Sequence, residues 1–142
     1  MSNAFWAYGS LLQVGDSAGA VFTSVAEITE LGLPKRKKDA IEVTNHDSPS
    51  GYAEFISGMR DGGEVPFKAN FLPTNTTQDE VTGLLSGFND DDLHYWRIYV
   101  PHVNLTFPFN GFLTAYEPTL PLKAQGELSG TIKVSGKPGA PF

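Results

Sequence analysis

Apolar and polar residues alternate one by one through several segments of strand length, and no other feature of the sequence restricts the fold as much. The alternation is clearest in residues 64–71 and 128–135, and it recurs in residues 95–100 and 105–109. A period of two residues places successive side chains on opposite faces of a β-strand. The sequence therefore predicts a mainly β protein.

Glycine and proline mark the places where these strands end. A predicted strand that runs from Val21 to Leu31 meets the sequence Gly-Leu-Pro at residues 32–34. Beyond residue 109 the alternation changes phase at Asn110 and Gly111. This change predicts a β-bulge or a tight turn at that point.

One segment has a helical period instead. Thr77 and Glu80 match a capping box, and four apolar residues follow at helical spacing. These residues are Val81, Leu84, Leu85 and Phe88. Six or seven strands together with one short helix predict an antiparallel β-sandwich or flattened barrel, with the helix packed against one side.

The length of the chain fits one domain that spans residues 1–142. Within it we predict an N-terminal arm at residues 1–20, a long loop at residues 34–63 and a C-terminal tail at residues 137–142. Several strands carry large apolar side chains on the face that should be wet, so we expect another surface to cover them.

The residues that enzymes and metal sites need are absent or scattered. The sequence has no cysteine, no Gly-x-Ser-x-Gly nucleophile elbow and no phosphate-binding glycine loop. His46, His94 and His102 lack the spacing of a zinc site. No segment approaches the ~20 apolar residues of a membrane helix. We therefore predict a protein that is not an enzyme, holds no cofactor or metal and does not enter a membrane.

Positive charge is concentrated in one run, Lys35, Arg36, Lys37 and Lys38, which holds four of the ten Lys and Arg residues. Six positive charges remain elsewhere against sixteen negative ones, so the rest of the protein should repel nucleic-acid phosphates. The run is open to three interpretations: a solvated loop, a nuclear-targeting or nucleic-acid patch, or a contact with the acidic surface of an identical subunit.

Three consecutive acids, Asp90, Asp91 and Asp92, separate the predicted helix from the next strand. They suggest either a cation site or a solvated turn. The turn is favoured, because alternating side chains of an extended segment do not converge on one ion.

The order of these segments resembles that of the major tail tube proteins of long, non-contractile-tailed bacteriophages, the siphophage type. The resemblance covers nearly the whole chain and is carried by residues 25–29, 40–48, 52–65 and 126–136. It implies a structural subunit of a β-sandwich fold that self-assembles into hexameric rings, which stack into the tube that conducts DNA into the host. It also implies that the long loop at residues 34–63 is a stacking loop and that it and the terminal arms join one ring to the next. We hypothesise that residues 1–19 and 136–142 are mobile in the monomer and become ordered on stacking.

The resemblance further implies partners and a location. The partners are other copies of the chain, a tape-measure protein, the tail terminator and the distal tail or baseplate proteins, while DNA passes through the lumen without specific binding. The protein would be assembled in the host bacterial cytoplasm and reside in the virion tail. We hypothesise that the basic run pairs with Asp90, Asp91 and Asp92 on the neighbouring ring.

Two alternatives stay open. One is a tube subunit of a contractile tail or a related secretion machine. The other is a carbohydrate-binding β-sandwich that stacks sugars on exposed aromatic rings. Its candidate residues are Trp6, Tyr52, Tyr95, Trp96, Tyr99 and Tyr116. The alternation predicts that Trp96 lies in the core, which disfavours the carbohydrate site.

Overall fold

The computed structural model describes residues 4, 6–15, 22–72, 74–78, 84–89 and 93–142. Within them lie nine strands: β1 Leu11–Gly15, β2 Phe22–Ser24, β3 Ile28–Leu31, β4 Lys37–Glu42, β5 Phe55–Asp61, β6 Glu64–Asn70, β7 His94–Val100, β8 Leu105–Thr119 and β9 Glu127–Val134. One α-helix, α1, spans Leu84–Asn89, and one 3-10 turn spans Pro49–Gly51.

Seven strands form one antiparallel sheet in the order β2-β1-β7-β8-β9-β6-β3, and β4 pairs with β5 in a separate hairpin. The two edge strands β2 and β3 are neighbours in the chain, so the sheet must bend round to bring its edges together. The amide of Val25 donates to the carbonyl of Leu12 at 2.8 Å where the edges meet. The sheet is not a closed barrel, and the predicted mainly β, antiparallel fold class is confirmed.

The hydrophobic core lies on the inner face of this bent sheet. Alternate residues of β6 and β9 point into it, as the sequence predicts, and Val65, Leu128 and Ile132 are completely buried. Trp96 of β7 is also buried, and its Nε1 donates to the carbonyl of Gly111 at 3.2 Å. Helix α1 packs against β8 and buries Leu84.

The predicted phase change at Asn110 and Gly111 is wrong. Strand β8 continues straight through both residues, and the register shift falls later, between Leu113 and Ala115. Gly111 takes a buried position on the inner face, and a Cβ there would also collide with the backbone carbonyl of Lys133. Since glycine fills an inward position, Phe112 points outward and is 42% exposed.

The predicted strand from Val21 to Leu31 is two strands within residues 22–31, and Val21 lies outside the described residues. A turn at residues 25–27 separates β2 from β3, and Glu27 takes a left-handed φ of 53° within it. The predicted N-terminal arm also contributes to the sheet, because β1 occupies residues 11–15 and its Leu12 is completely buried. Strand β1 was missed because the apolar residues of the arm lie among Gly9, Gly15 and Gly19 without a sustained period.

The C-terminal tail follows β8. The hypothesis that the arm and the tail become ordered on assembly stays a prediction. The Gly139 amide donates to the carbonyl of Pro108 at 2.9 Å, and the Phe142 amide donates to the carbonyl of Thr106 at 3.0 Å. The tail therefore extends the line of β9 along the first half of β8.

The structure describes only the second half of the predicted helix, and Glu80 and Val81 lie outside the described residues. Thr77 makes tertiary contacts: its hydroxyl donates to Asn75 Oδ1 at 2.6 Å and accepts from the Ala26 amide at 3.1 Å. The threonine thus joins this loop to the turn between β2 and β3.

Candidate assembly surfaces

The β4–β5 hairpin is an arm whose residues are almost all exposed. All six residues of β4 and six of the seven residues of β5 are exposed. The predicted long loop at residues 34–63 therefore contains a regular hairpin. Its base is narrow: Gly63 has a φ of 82°, and a Cβ there would collide with the carbonyl of Lys35.

One ion pair fixes the base of this arm to the main sheet. Lys133 Nζ donates to both carboxylate oxygens of Asp61, at 2.8 and 3.0 Å, and the Gly63 amide donates to Asp61 Oδ1 at 2.9 Å. The Lys133 ammonium group, and after it the Gly63 amide, hold the pKa of Asp61 below its ordinary value of 3.8. The arm is thus anchored to β9 at its base.

The hairpin divides the basic run between different surroundings. Lys35 and Arg36 precede β4, and Lys37 lies opposite Asp61 in the strand register. Lys38 lies directly opposite Arg60. Like charges opposite one another on neighbouring strands are destabilising, so this pair favours an external anion.

Arg60 belongs to the same positive surface, and the sequence analysis missed it. The signal was hidden because Lys38 and Arg60 are far apart in the chain and meet only through the register of the hairpin. The three predicted acidic partners, Asp90, Asp91 and Asp92, lie outside the described residues. Their pairing with the basic run stays a prediction.

The arm also exposes apolar side chains on both faces. Ile41 and Ile56 lie opposite one another and are 49% and 53% exposed. Phe55, opposite Glu42 on the other face, is 58% exposed. Adjacent apolar side chains on a projecting arm are typical of a surface that a partner covers.

The outer face of the main sheet carries a mixed aromatic and polar surface. Tyr95 and Phe112 are partly exposed there. The guanidinium of Arg97 lies 3.9 Å from the ring centroid of Phe22 and hydrogen-bonds Gln13. These contacts fix the arginine on β1, β2 and β7.

The aromatic residues of the predicted carbohydrate site do not share one surface. Trp96 lies in the core, and Tyr116 packs against the core with its hydroxyl donating to the carbonyl of Gln78 at 3.1 Å. Tyr52 lies in the hairpin connection, while the ring of Trp6 stacks on that of Tyr8 with centroids 4.9 Å apart.

Gln78 is a buried polar residue that the sequence analysis did not single out. Its side chain is completely buried; Oε1 accepts from the Leu72 amide at 2.9 Å, and Nε2 donates to the carbonyl of Asn70 at 3.0 Å. A longer contact of 3.4 Å reaches the carbonyl of Ala26. The glutamine therefore holds the loop after β6 to the turn between β2 and β3.

Among the described residues, no three His, Asp or Glu side chains are grouped closely enough to hold a metal ion. The described part of the chain also has no helix long and apolar enough to cross a membrane.

A bent antiparallel sheet with a projecting hairpin and several exposed apolar surfaces defines a structural protein whose surfaces suit contact with further copies. The chain belongs to the lambda phage tail tube protein family, whose family model matches residues 6–141. It is thus a structural subunit of a phage-type tail tube. No curated protein sequence matches the chain.

Several solved structures share the fold. The tail of an empty gene transfer agent particle, refined with C6 symmetry, has a chain with a TM-score of 0.73 and 14% identity, covering 91% of this chain and 92% of that one. A chain of the native gene transfer agent virion has a TM-score of 0.69 and 15% identity, covering 92% and 95%. A chain of the sheath/tube terminator of a contractile injection system has a TM-score of 0.68 and 14% identity, covering 96% of each.

Proposed function

We propose that copies of this chain close into hexameric rings and that the rings stack into a tube through which DNA passes into a host cell. The observation that carries the proposal is the β4–β5 arm, which is fixed at its base by Asp61 and Lys133 and otherwise exposed. Family membership supports the tube, and the C6 symmetry of the similar gene transfer agent tail supports six copies in a ring.

The arm supplies the contact from ring to ring. Its apolar residues Ile41, Ile56 and Phe55 would be buried against the neighbouring ring, which removes them from water. The positive residues Lys35, Arg36, Lys37 and Lys38, joined by Arg60, would meet acidic side chains there, and Asp90, Asp91 and Asp92 are our candidates. Opposite charges at such a contact fix register more than they add affinity.

The work of the subunit is mechanical and needs no bond chemistry. The net charge of −6 suits a lumen that DNA crosses without specific binding, because like charge opposes close phosphate contact. A tape-measure protein, a tail terminator and distal tail or baseplate proteins complete the proposed set of partners. We place assembly in the host bacterial cytoplasm and the finished tube in the tail of the virion.

A tube subunit of a contractile machine is the second candidate. The similarity to the sheath/tube terminator and to the sheath-tube complex of a contractile injection system, with TM-scores of 0.68 and 0.63, favours it. Such a tube is surrounded by a sheath, so the two candidates differ in the surface that faces outward. Binding of a sheath protein to assembled tubes would select the contractile candidate.

Negative-stain electron microscopy of the purified protein over a range of concentrations tests the main proposal. We expect rings or hollow rods above a threshold concentration. A protein that stays a single folded copy at every concentration, and is missing from the tail of a purified particle, contradicts the proposal.

Charge reversal at Lys38 tests the role of the arm separately. Lys38→Glu places an acid opposite Arg60, which should stabilise the hairpin itself by about 0.2–1 kcal/mol. The same change should raise the concentration needed for stacking. Because the variant hairpin should be more stable than the natural one, poorer assembly would not come from unfolding. The double variant Thr74→Glu/Gln125→Glu, which changes the net charge equally at two exposed residues outside the arm and the tail, is the matched control. Equal assembly of the two variants at low and high salt would exclude the arm's positive charge from stacking.

A further inference from the structure

A groove lies between β1 and β3, where the bent sheet fails to close. Its volume is about 740 Å³. In the described residues β3 pairs with β6 alone, so its second edge faces this groove. The lining includes the buried side chains of Val25, Ile98 and Val100 and the more exposed Leu33.

The most exposed apolar side chain among the described residues lies elsewhere, in the loop between β8 and β9. Leu122 is 96% exposed, and Leu120, two residues earlier, is 79% exposed. The loop is held at its far end, where the Phe71 amide donates to the carbonyl of Gly126 at 2.9 Å. An anchored loop that presents two leucines to water has the form of a knob for a partner.

The knob and the groove match in size and in charge. A dry cavity of about 150 Å³ already holds a benzene ring, so this groove has room for two leucine side chains. Lys123 follows Leu122 directly, while Glu27 and Glu30 line the groove. Glu30 is 3.7 Å from Lys68, but both side chains are more than half exposed, so this ion pair leaves the carboxylate available.

We propose that the loop of residues 120–123 of one copy docks into the β1–β3 groove of a second copy. The inference rests on the proposed function, in which copies of the chain assemble. Loop and groove are different surfaces, so each copy offers one of each and the contact can repeat. Contacts of this head-to-tail kind generate closed rings or continuing stacks.

Cysteine cross-linking tests where the loop docks. The natural chain has no cysteine, so Leu122→Cys and Thr29→Cys, at an exposed position of the groove, each carry a single thiol. Docking would bring residue 122 of one copy next to residue 29 of the other. We therefore expect a disulfide between the two variants when they are mixed, assembled and oxidised, since this bond forms only where the Cβ atoms come within about 4.5 Å. Leu33→Cys serves as a second groove position, and Thr114→Cys, at an exposed residue of β8 outside the groove, replaces the groove variant in the control mixture.

Substitution of the knob tests its energetic role. Leu122→Asn should raise the concentration needed for assembly at least tenfold, because a buried leucine becomes an amide without an apolar contact. The melting temperature of the free subunit should not change, since Leu122 is exposed in a single copy. Gln125→Ser, in the same loop and also exposed, should assemble as the natural chain does.

The docking requires both results. If neither groove position forms a disulfide with Leu122→Cys, or if Leu122→Asn assembles at the natural concentration, the docking is refuted. Failure of the proposed function is a different outcome, because then the natural chain itself forms no rings or tubes.

Discussion

Replacing Gln78 by leucine should lower the free energy of unfolding of the free subunit, although the two side chains are similar in size. The substitution removes the acceptor of the Leu72 amide and the donor to the carbonyls of Asn70 and Ala26. An amide left unpaired in a buried position costs about 1–3 kcal/mol, and the two carbonyls lose weaker contacts. We expect the free energy of unfolding to fall by about 2–3 kcal/mol in total.

Urea unfolding of the dilute free subunit measures this loss. A small domain is stable by about 5–15 kcal/mol, so a change of this size shifts the midpoint clearly while the slope stays constant. Gln125→Leu, at an exposed residue, is the matched control and should change stability by no more than about 0.5 kcal/mol. A loss below about 1 kcal/mol for Gln78→Leu would refute the idea that this side chain fastens the two loops.

Two further predictions concern the base of the arm and the outward direction of the Phe112 side chain on β8. Because the folded pKa of Asp61 lies below 3.8, the stability from its contact with Lys133 is present above that pH and is lost as the pH falls through the lower folded value. Amide protection factors at the hairpin base, which compare the measured exchange rate with the intrinsic rate at the same pH, should therefore fall in acid, and in Asp61→Asn they should be low at every pH; natural protection factors that stay constant through this pH range would contradict the prediction. Phe109→Ala should cost the free subunit about 3–5 kcal/mol and Phe112→Ala much less, because only the first side chain is buried. Equal losses of unfolding free energy in the two variants, measured in urea, would mean that β8 does not run straight.

The strands could be predicted from the sequence where alternation is regular. In β6 and β9 the inward residues are those that the pattern predicts, and the placement of Trp96 in the core is confirmed. The prediction failed at Gly111, because a glycine carries no side chain and an inward glycine therefore reads as a break in the pattern. The exposure of Phe112 follows from the same misreading.

The assembly surface could be predicted only in part. The basic run of residues 35–38 could be found because its four residues are consecutive in the sequence, and the order of segments resembles that of the family to which the chain belongs. Arg60 could not be found in this way, because it joins the run only when β5 pairs with β4 in the observed register. The groove between β1 and β3 is likewise formed by residues far apart in the chain.

The sequence by itself determined the extended segments where alternation is regular, the side chains that turn inward along β6, β7 and β9, and the order of segments that marks the family. These properties are local, since the pleat of a strand and the conformations of glycine and proline act over a few residues. Only the tertiary structure decided which strands are neighbours, that β2 and β3 take opposite edges, and that Lys38 faces Arg60. Cross-strand partners are selected when the whole chain packs its core, so no short stretch of sequence contains them.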